Sequence, residues 1–261
     1  TSFAAPWIAR KLSYLIDILG LNREVAKAMI IDAARDWNEK PTPEEVALYG
    51  HGIVPIKIDD IVHTKEDEIK FLVYDVSEKW NTYNYYFPVP IKDDKYPYIA
   101  RVTMCYFPMC DRTQGVDYTN TELNLHFGRI NNKGKIEDIK GDKQNQDVIL
   151  DNEKYFLLEG EARERFRKWD NVKYIAERPK NKMMPKKSYN NKNWGMEIKT
   201  NNRLDPKDGI GIRFGVVVTL KEINGVNRID EFIKNCTLNG WLVNKIDVQT
   251  RVDINKKVNE D

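Results

Sequence analysis

The spacing of apolar residues changes near residue 64, and that change decides what this chain can fold into. Before it, apolar side chains recur every three or four positions. Ile8, Leu12, Leu15, Ile16 and Leu19 form one series; Val25, Met29 and Ala33, beside Ala26, Ile30 and Ala34, form a second. Such spacing lines up one stripe of a helix. After it the period drops to two. Ile69, Phe71 and Val73 alternate with Lys70, Leu72 and Tyr74, and Leu123, Leu125 and Phe127 alternate with Glu122, Asn124 and His126. Alternation sends neighbouring side chains to opposite faces of a strand. Glu122, Asn124 and His126 are therefore expected on a solvated face.

The β pattern persists to the end. Residues 100–107, Ala-Arg-Val-Thr-Met-Cys-Tyr-Phe, are rich in β-branched and aromatic side chains. Residues 194–200 and 210–220 predict further strands, and the run Val216-Val217-Val218 predicts a strand covered on both faces. Three segments break the pattern: a polar insertion over 131–153, a charged helix over 155–169 and a basic loop over 180–192. Asn227 is placed to cap a helix that carries Ile229, Phe232, Ile233 and Cys236 on one face, and Gly240 is placed to stop it. A last strand is expected through Leu242, Ile246, Val248, Val252 and Ile254, with a frayed tail over 255–261. Many strands with few helices predict a mainly β protein: an antiparallel β-sandwich preceded by two helices. The expected division is 1–63 and 64–261.

Charge excludes some partners. The 42 basic and 40 acidic residues leave a net charge of +2, which makes no electrostatic case for nucleic acid or an anionic membrane. No window approaches a membrane span. Three cysteines, Cys105, Cys110 and Cys236, are too few and odd in number for a disulfide framework, which leans the chain toward the cytoplasm.

The first helix opens from Thr1-Ser2-Phe3-Ala4-Ala5-Pro6, with Pro6 tolerated in its first turn. Ser2 then sits at or beside a helix N-terminus, where free N–H groups favour negative charge. The serine is either a nucleophile or, with Thr1, simply a cap. Thr1, Ser2, Ala4 and Pro6 match the Thr-Ser-x-Ala-x-Pro nucleophile motif and so resemble the subtilisin-like serine peptidases. A second landmark, Tyr49-Gly50-His51-Gly52-Ile53-Val54-Pro55-Ile56, resembles the segment that closes the catalytic domain of that family, and a helical stretch over 24–37 lies between the two. Residues 101–106 and 120–125 resemble strands of the jelly-roll domains that follow many subtilase catalytic domains.

The resemblance implies a definite chemistry. Ser2 would be the catalytic nucleophile of an endopeptidase acting on a protein or peptide substrate; the residues themselves predict no cofactor and no metal. The family's Asp, His and oxyanion Asn precede its serine, so this chain would be the C-terminal portion of a subtilase. The two helices would be what remains of its α/β catalytic domain, and the missing N-terminal catalytic segment would pack on 1–63. The chain alone would be inactive. The alternative is a non-catalytic β-sandwich module that binds or stabilises a peptidase or partner protein.

Other chemistry is weaker. Oxygen side chains at Asp111, Asp117, Asn120 and Asn124 suit calcium, but in no EF-hand spacing. Cys105 lies in an apolar strand, as inert packing would. Residues 209–215 carry three glycines but open a strand rather than a helix, unlike a phosphate-binding loop. His51, His63 and His126 all follow Ser2, against the subtilase order.

Overall fold

The computed structural model describes residues 3–34, 36–37, 49–77, 82–110, 119, 121–139, 142–143, 148–150, 155–157, 171–177, 184–202, 211–244 and 246. Period-3.6 residues form helices α1 (Ala4–Ser13) and α2 (Arg23–Ala33), joined through a π-helical turn, Tyr14–Ile18. Asn22 stands at the N-cap of α2 as expected, although its side chain caps nothing. A short helix α3 (Asp59–Val62) precedes the β region.

The strands build two main antiparallel sheets. Sheet A runs in the order β1 (Glu68–Ser77), β13 (Ile212–Glu222), β4 (Tyr98–Tyr106), β10 (Val172–Ala176), β7 (Asp142–Lys143). Sheet B runs β2 (Thr82–Phe87), β12 (Trp194–Asn202), β5 (Thr121–Ile130), β6 (Ile136–Asp138). Short pairs complete the set: β3 (Lys95–Tyr96) with β11 (Lys186–Lys187), and β8 (Val148–Leu150) with β9 (Tyr155–Leu157).

Alternation decides how the sheets meet. Val102, Met104, Phe214, Val216 and Val218 of sheet A share one buried cluster with Leu123, Leu125, Phe127, Trp194 and Met196 of sheet B. Fully buried Trp194 lies near its centre, edge-on to Tyr96 with ring centroids at 5.7 Å and tilted against Phe127 at 5.4 Å. The mainly β architecture and the antiparallel sandwich are as the sequence predicts.

The other face of sheet A is covered too. Cys105, Val172 and Val217 point into a second cluster with Leu15, Leu19, Val25, Ala26, Ala28, Met29 and Ile30. Helix α2 therefore lies on the sheet as a lid, and the run Val216-Val217-Val218 is buried throughout. Helix α4 (Ile229–Leu238) covers the opening beside β1 and β2. Phe232 packs against Phe71, Trp241 stacks on Phe87, and the Trp241 Nε1–H donates to the Tyr86 carbonyl at 3.0 Å. Asn227 accepts the Ile229 N–H, and Gly240, at φ +83°, ends the helix where a side chain would be strained.

Four expectations need correction. The insertion over 131–153 contains strands β6, β7 and β8. The expected helix over 155–169 begins as strand β9, because Tyr155–Leu157 pairs with Val148–Leu150; residues 158–170 lie outside the described residues. The last strand does not form over 241–244, where the chain turns back so that Trp241 reaches Phe87; 247–261 lie outside the described residues. Glu122 is fully buried rather than solvated, since the Lys173 ammonium reaches its carboxylate at 2.5 Å from β10.

Candidate functional site

Helix α1 is held at one end and open at the other. Leu15, in the π-helical turn that follows it, and Leu19, just after that turn, are buried with α2. Its first turn has no such cover: Ala4, Ala5 and Pro6 are exposed, and Phe3, just ahead of the helix, is 90% exposed. Thr1 and Ser2 lie outside the described residues.

The second landmark is tied to α1 by one contact. The Lys11 ammonium sits over the Trp7 ring at 4.8 Å and donates a 2.9 Å hydrogen bond to the carbonyl of Ile56. Lys11 is buried by this arrangement, while Ile53 and Ile56 are 79% and 77% exposed. Trp7 and Tyr49 are exposed as well, so helix α1 and segment 49–56 each leave large apolar side chains in solvent.

Beneath α2 sits a buried polar knot. Asp32, on α2, accepts from Arg101 Nε at 2.8 Å and Nη2 at 3.2 Å, from Thr219 Oγ1 at 3.0 Å and from Thr103 Oγ1 at 3.3 Å. The guanidinium of Arg101 lies 4.6 Å from the Trp37 ring centre, and the Trp37 indole N–H donates to Glu68 at 2.7 Å. Burial alone would lower the Arg101 pKa; the charge of Asp32, with Tyr174, the Asp32 hydrogen bond and Glu68, leaves it raised. A polar cavity of about 470 Å³ adjoins the knot, lined among others by Trp37, Pro55, His63, Glu68 and Arg101.

The histidines are dispersed. The His51 ring meets Tyr174 edge-on at 5.5 Å, on the α2 side of sheet A. His63 follows α3, its N–H bonded to the Asp59 carbonyl. His126 is on the outer face of sheet B, its Nδ1 2.9 Å from Asp138 Oδ2. Of the calcium candidates, Asp111, Asp117 and Asn120 lie outside the described residues, and Asn124 stands opposite Lys199 in the β5–β12 ladder. Among the described residues no group of three or more His, Cys, Asp or Glu side chains could hold a metal ion. Burial pushes the Cys105 thiol up to about 12, as suits an inert core residue.

Sequence reasoning passed over Asp32 and Arg101. Each is a lone charge inside an apolar run, Ile30-Ile31-Asp32-Ala33 and Ala100-Arg101-Val102. Two opposite lone charges of that kind are a signal for a buried pair. No protein-family description matches the chain, and no curated protein matches it either. No helix among the described residues is long and apolar enough to cross a membrane.

Proposed function

We propose that this chain is the C-terminal part of a subtilisin-like serine endopeptidase, with Ser2 as the nucleophile that forms the acyl-enzyme. The observation that supports this reading is the tie between α1 and the second landmark. The Thr-Ser-x-Ala-x-Pro motif runs into the uncovered end of α1, and the 49–56 segment is tied to that same helix through Lys11 and Ile56. The apolar side chains of Phe3, Trp7, Tyr49, Ile53 and Ile56, all exposed, suit a face on which the rest of a catalytic domain packs.

On this reading the histidine and aspartate come from a segment preceding Thr1. The histidine takes the Ser2 hydroxyl proton as the oxygen attacks the scissile carbonyl; the aspartate holds the histidine in the right tautomer. The amide nitrogen leaves with that proton, and water releases the acyl group. On this reading the chain by itself lacks the family's paired Asp and His and is inactive, because a serine hydroxyl is a poor nucleophile without a base.

The experiment compares casein cleavage by the intact enzyme, by its Ser2→Ala variant and by residues 1–261 alone. Turnover should fall by several orders of magnitude in Ser2→Ala. A fluorophosphonate should label Ser2 in the intact enzyme and leave the isolated chain unlabelled. Undiminished cleavage by Ser2→Ala would remove the assignment.

A further inference from the structure

We propose that the cavity along the outer edge of β1 binds a free single-tailed amphipathic acid, with its aliphatic chain in the cavity and its carboxylate at Lys70. This site does not depend on the peptidase reading. Strand β1 pairs with β13 on one side and, among the described residues, with no strand on the other. Lys70 and Leu72 stand opposite Thr219 and Val217 and share their face, toward α2. Phe71 and Val73 point the other way, into the sandwich cluster. A cavity of about 430 Å³ is lined by all four. Side chains from both faces of one strand can line a single cavity only around its open edge.

The lining suits an apolar tail. Phe71 lies 4.8 Å from Phe87 and 5.2 Å from Phe232 between ring centres, and Trp241 stacks on Phe87 at 5.5 Å. All four rings line the cavity, and half-buried Ile229 and Ile233 of α4 join them. Lys70 is the one charged side chain in that lining. Small-molecule pockets run from about 300 to 1,000 Å³ and are mostly apolar, with a few polar groups that fix orientation. A flexible aliphatic tail can follow the bend around the strand edge, where a rigid one could not.

Lys70 specifies the head. Together with Thr64 it also lines the polar cavity beside the Asp32 knot, so the two residues mark the seam between an apolar compartment and a polar one. The Lys70 side chain is half-buried and, among the described residues, has neither an ion pair nor a hydrogen bond. The acids nearby are engaged or solvated. Glu68 accepts the Trp37 indole N–H, Asp36 lies 3.9 Å from Lys65, and Asp59 and Asp60 are exposed. The other cation of the polar cavity that is buried, Arg101, is committed to Asp32. A half-buried ammonium without a partner favours an incoming anion. One point charge, with no free guanidinium fork beside it, matches a singly charged carboxylate better than a phosphate.

The test is isothermal titration of the full chain with decanoate and with decanol, each below the concentration at which it aggregates. Decanoate should bind one per chain and at least tenfold tighter than decanol, because a charge-assisted contact adds to the same tail. From octanoate to dodecanoate each methylene should tighten binding about fourfold. In Lys70→Met the decanoate affinity should fall to that of decanol while decanol binding is unchanged, so the variant reports its own intact cavity. Bound decanoate should slow deuterium exchange at the amides of α4 several-fold and leave those of β5 unchanged. Should Lys70→Met fail to fold, Ile233→Trp fills the cavity from α4 and should abolish binding of both ligands with an unaltered far-UV circular dichroism spectrum. No binding of decanoate to the parent would overturn the proposal, as would equal affinity for decanoate and decanol. Parental decanoate affinity in folded Lys70→Met or Ile233→Trp would overturn it too, and so would protection found on β5 instead of α4.

Discussion

The two sheets differ in what their outer faces meet. Outside sheet A lies α2, so Val217, Thr103, Thr219 and Arg101 are buried although they point away from the sandwich interior. Outside sheet B the ladder Asn84–Glu197–His126 crosses three strands, with Asn84 exposed and the other two half-buried. The sequences match the difference. Strand β4 is buried at every position, while β5 carries half-buried polar side chains at Asn124 and His126. Where a covered face holds polar groups, they have partners: Thr103, Thr219 and Arg101 all meet Asp32. A polar residue on a strand therefore marks either water or a specific partner, and the covering helix decides which.

The comparison breaks most visibly at Val217. Val217→Asp should cost several kcal/mol, enough to unfold a domain of ordinary stability, because it places an unpaired charge beneath α2. Asn124→Asp, on the outer face of sheet B, should stay within about 0.5 kcal/mol. Urea denaturation followed by far-UV circular dichroism would compare the two, and equal midpoints would end the distinction between covered and open faces.

A smaller effect sharpens the exception in β5. Glu122→Ala should cost about 3–5 kcal/mol, since it leaves the buried Lys173 ammonium without its carboxylate. Adding Lys173→Met should restore most of the loss, because an apolar pair of similar volume often does as well as a buried ion pair. A single variant as stable as the parent would return Glu122 to the solvated face.

The smallest effect belongs to sheet B. Lys199 and Glu197 form a 2.8 Å ion pair with both side chains partly exposed. Lys199→Ala should lower stability by about 0.5 kcal/mol or less, as exposed pairs do. A loss above about 2 kcal/mol in thermal unfolding would show that this face is covered after all.

The sandwich was legible because burial in strands follows a local rule. Leu123, Leu125, Phe127 and the Val216–Val218 run declare their faces within a few residues. Glu122 obeys the same local rule and misleads, because its partner lies 51 residues away on another sheet. Asp32 and Arg101 are 69 residues apart, and spacing says nothing across that distance. The expected helix over 155–169 gave way at its start to a pairing with Val148–Leu150, a competition between local propensity and a neighbour that propensity alone does not weigh. As for the candidate site, the Thr1–Pro6 motif rests on resemblance alone, whereas the Asp32–Arg101 knot needed coordinates.

The π-helical turn over Tyr14–Ile18 works as an index mark for α1. Its Leu19 N–H reaches back five residues, to the Tyr14 carbonyl, so one more residue is wound into that turn than an α-helix would take. Each residue of an α-helix accounts for about 100° of rotation. The extra residue thus sets which way everything before it is clocked, and it does so at the point where Leu15 and Leu19 lock against α2. The exposed apolar side chain of Trp7, like the rest of α1, inherits its bearing from a single inserted residue further along the chain.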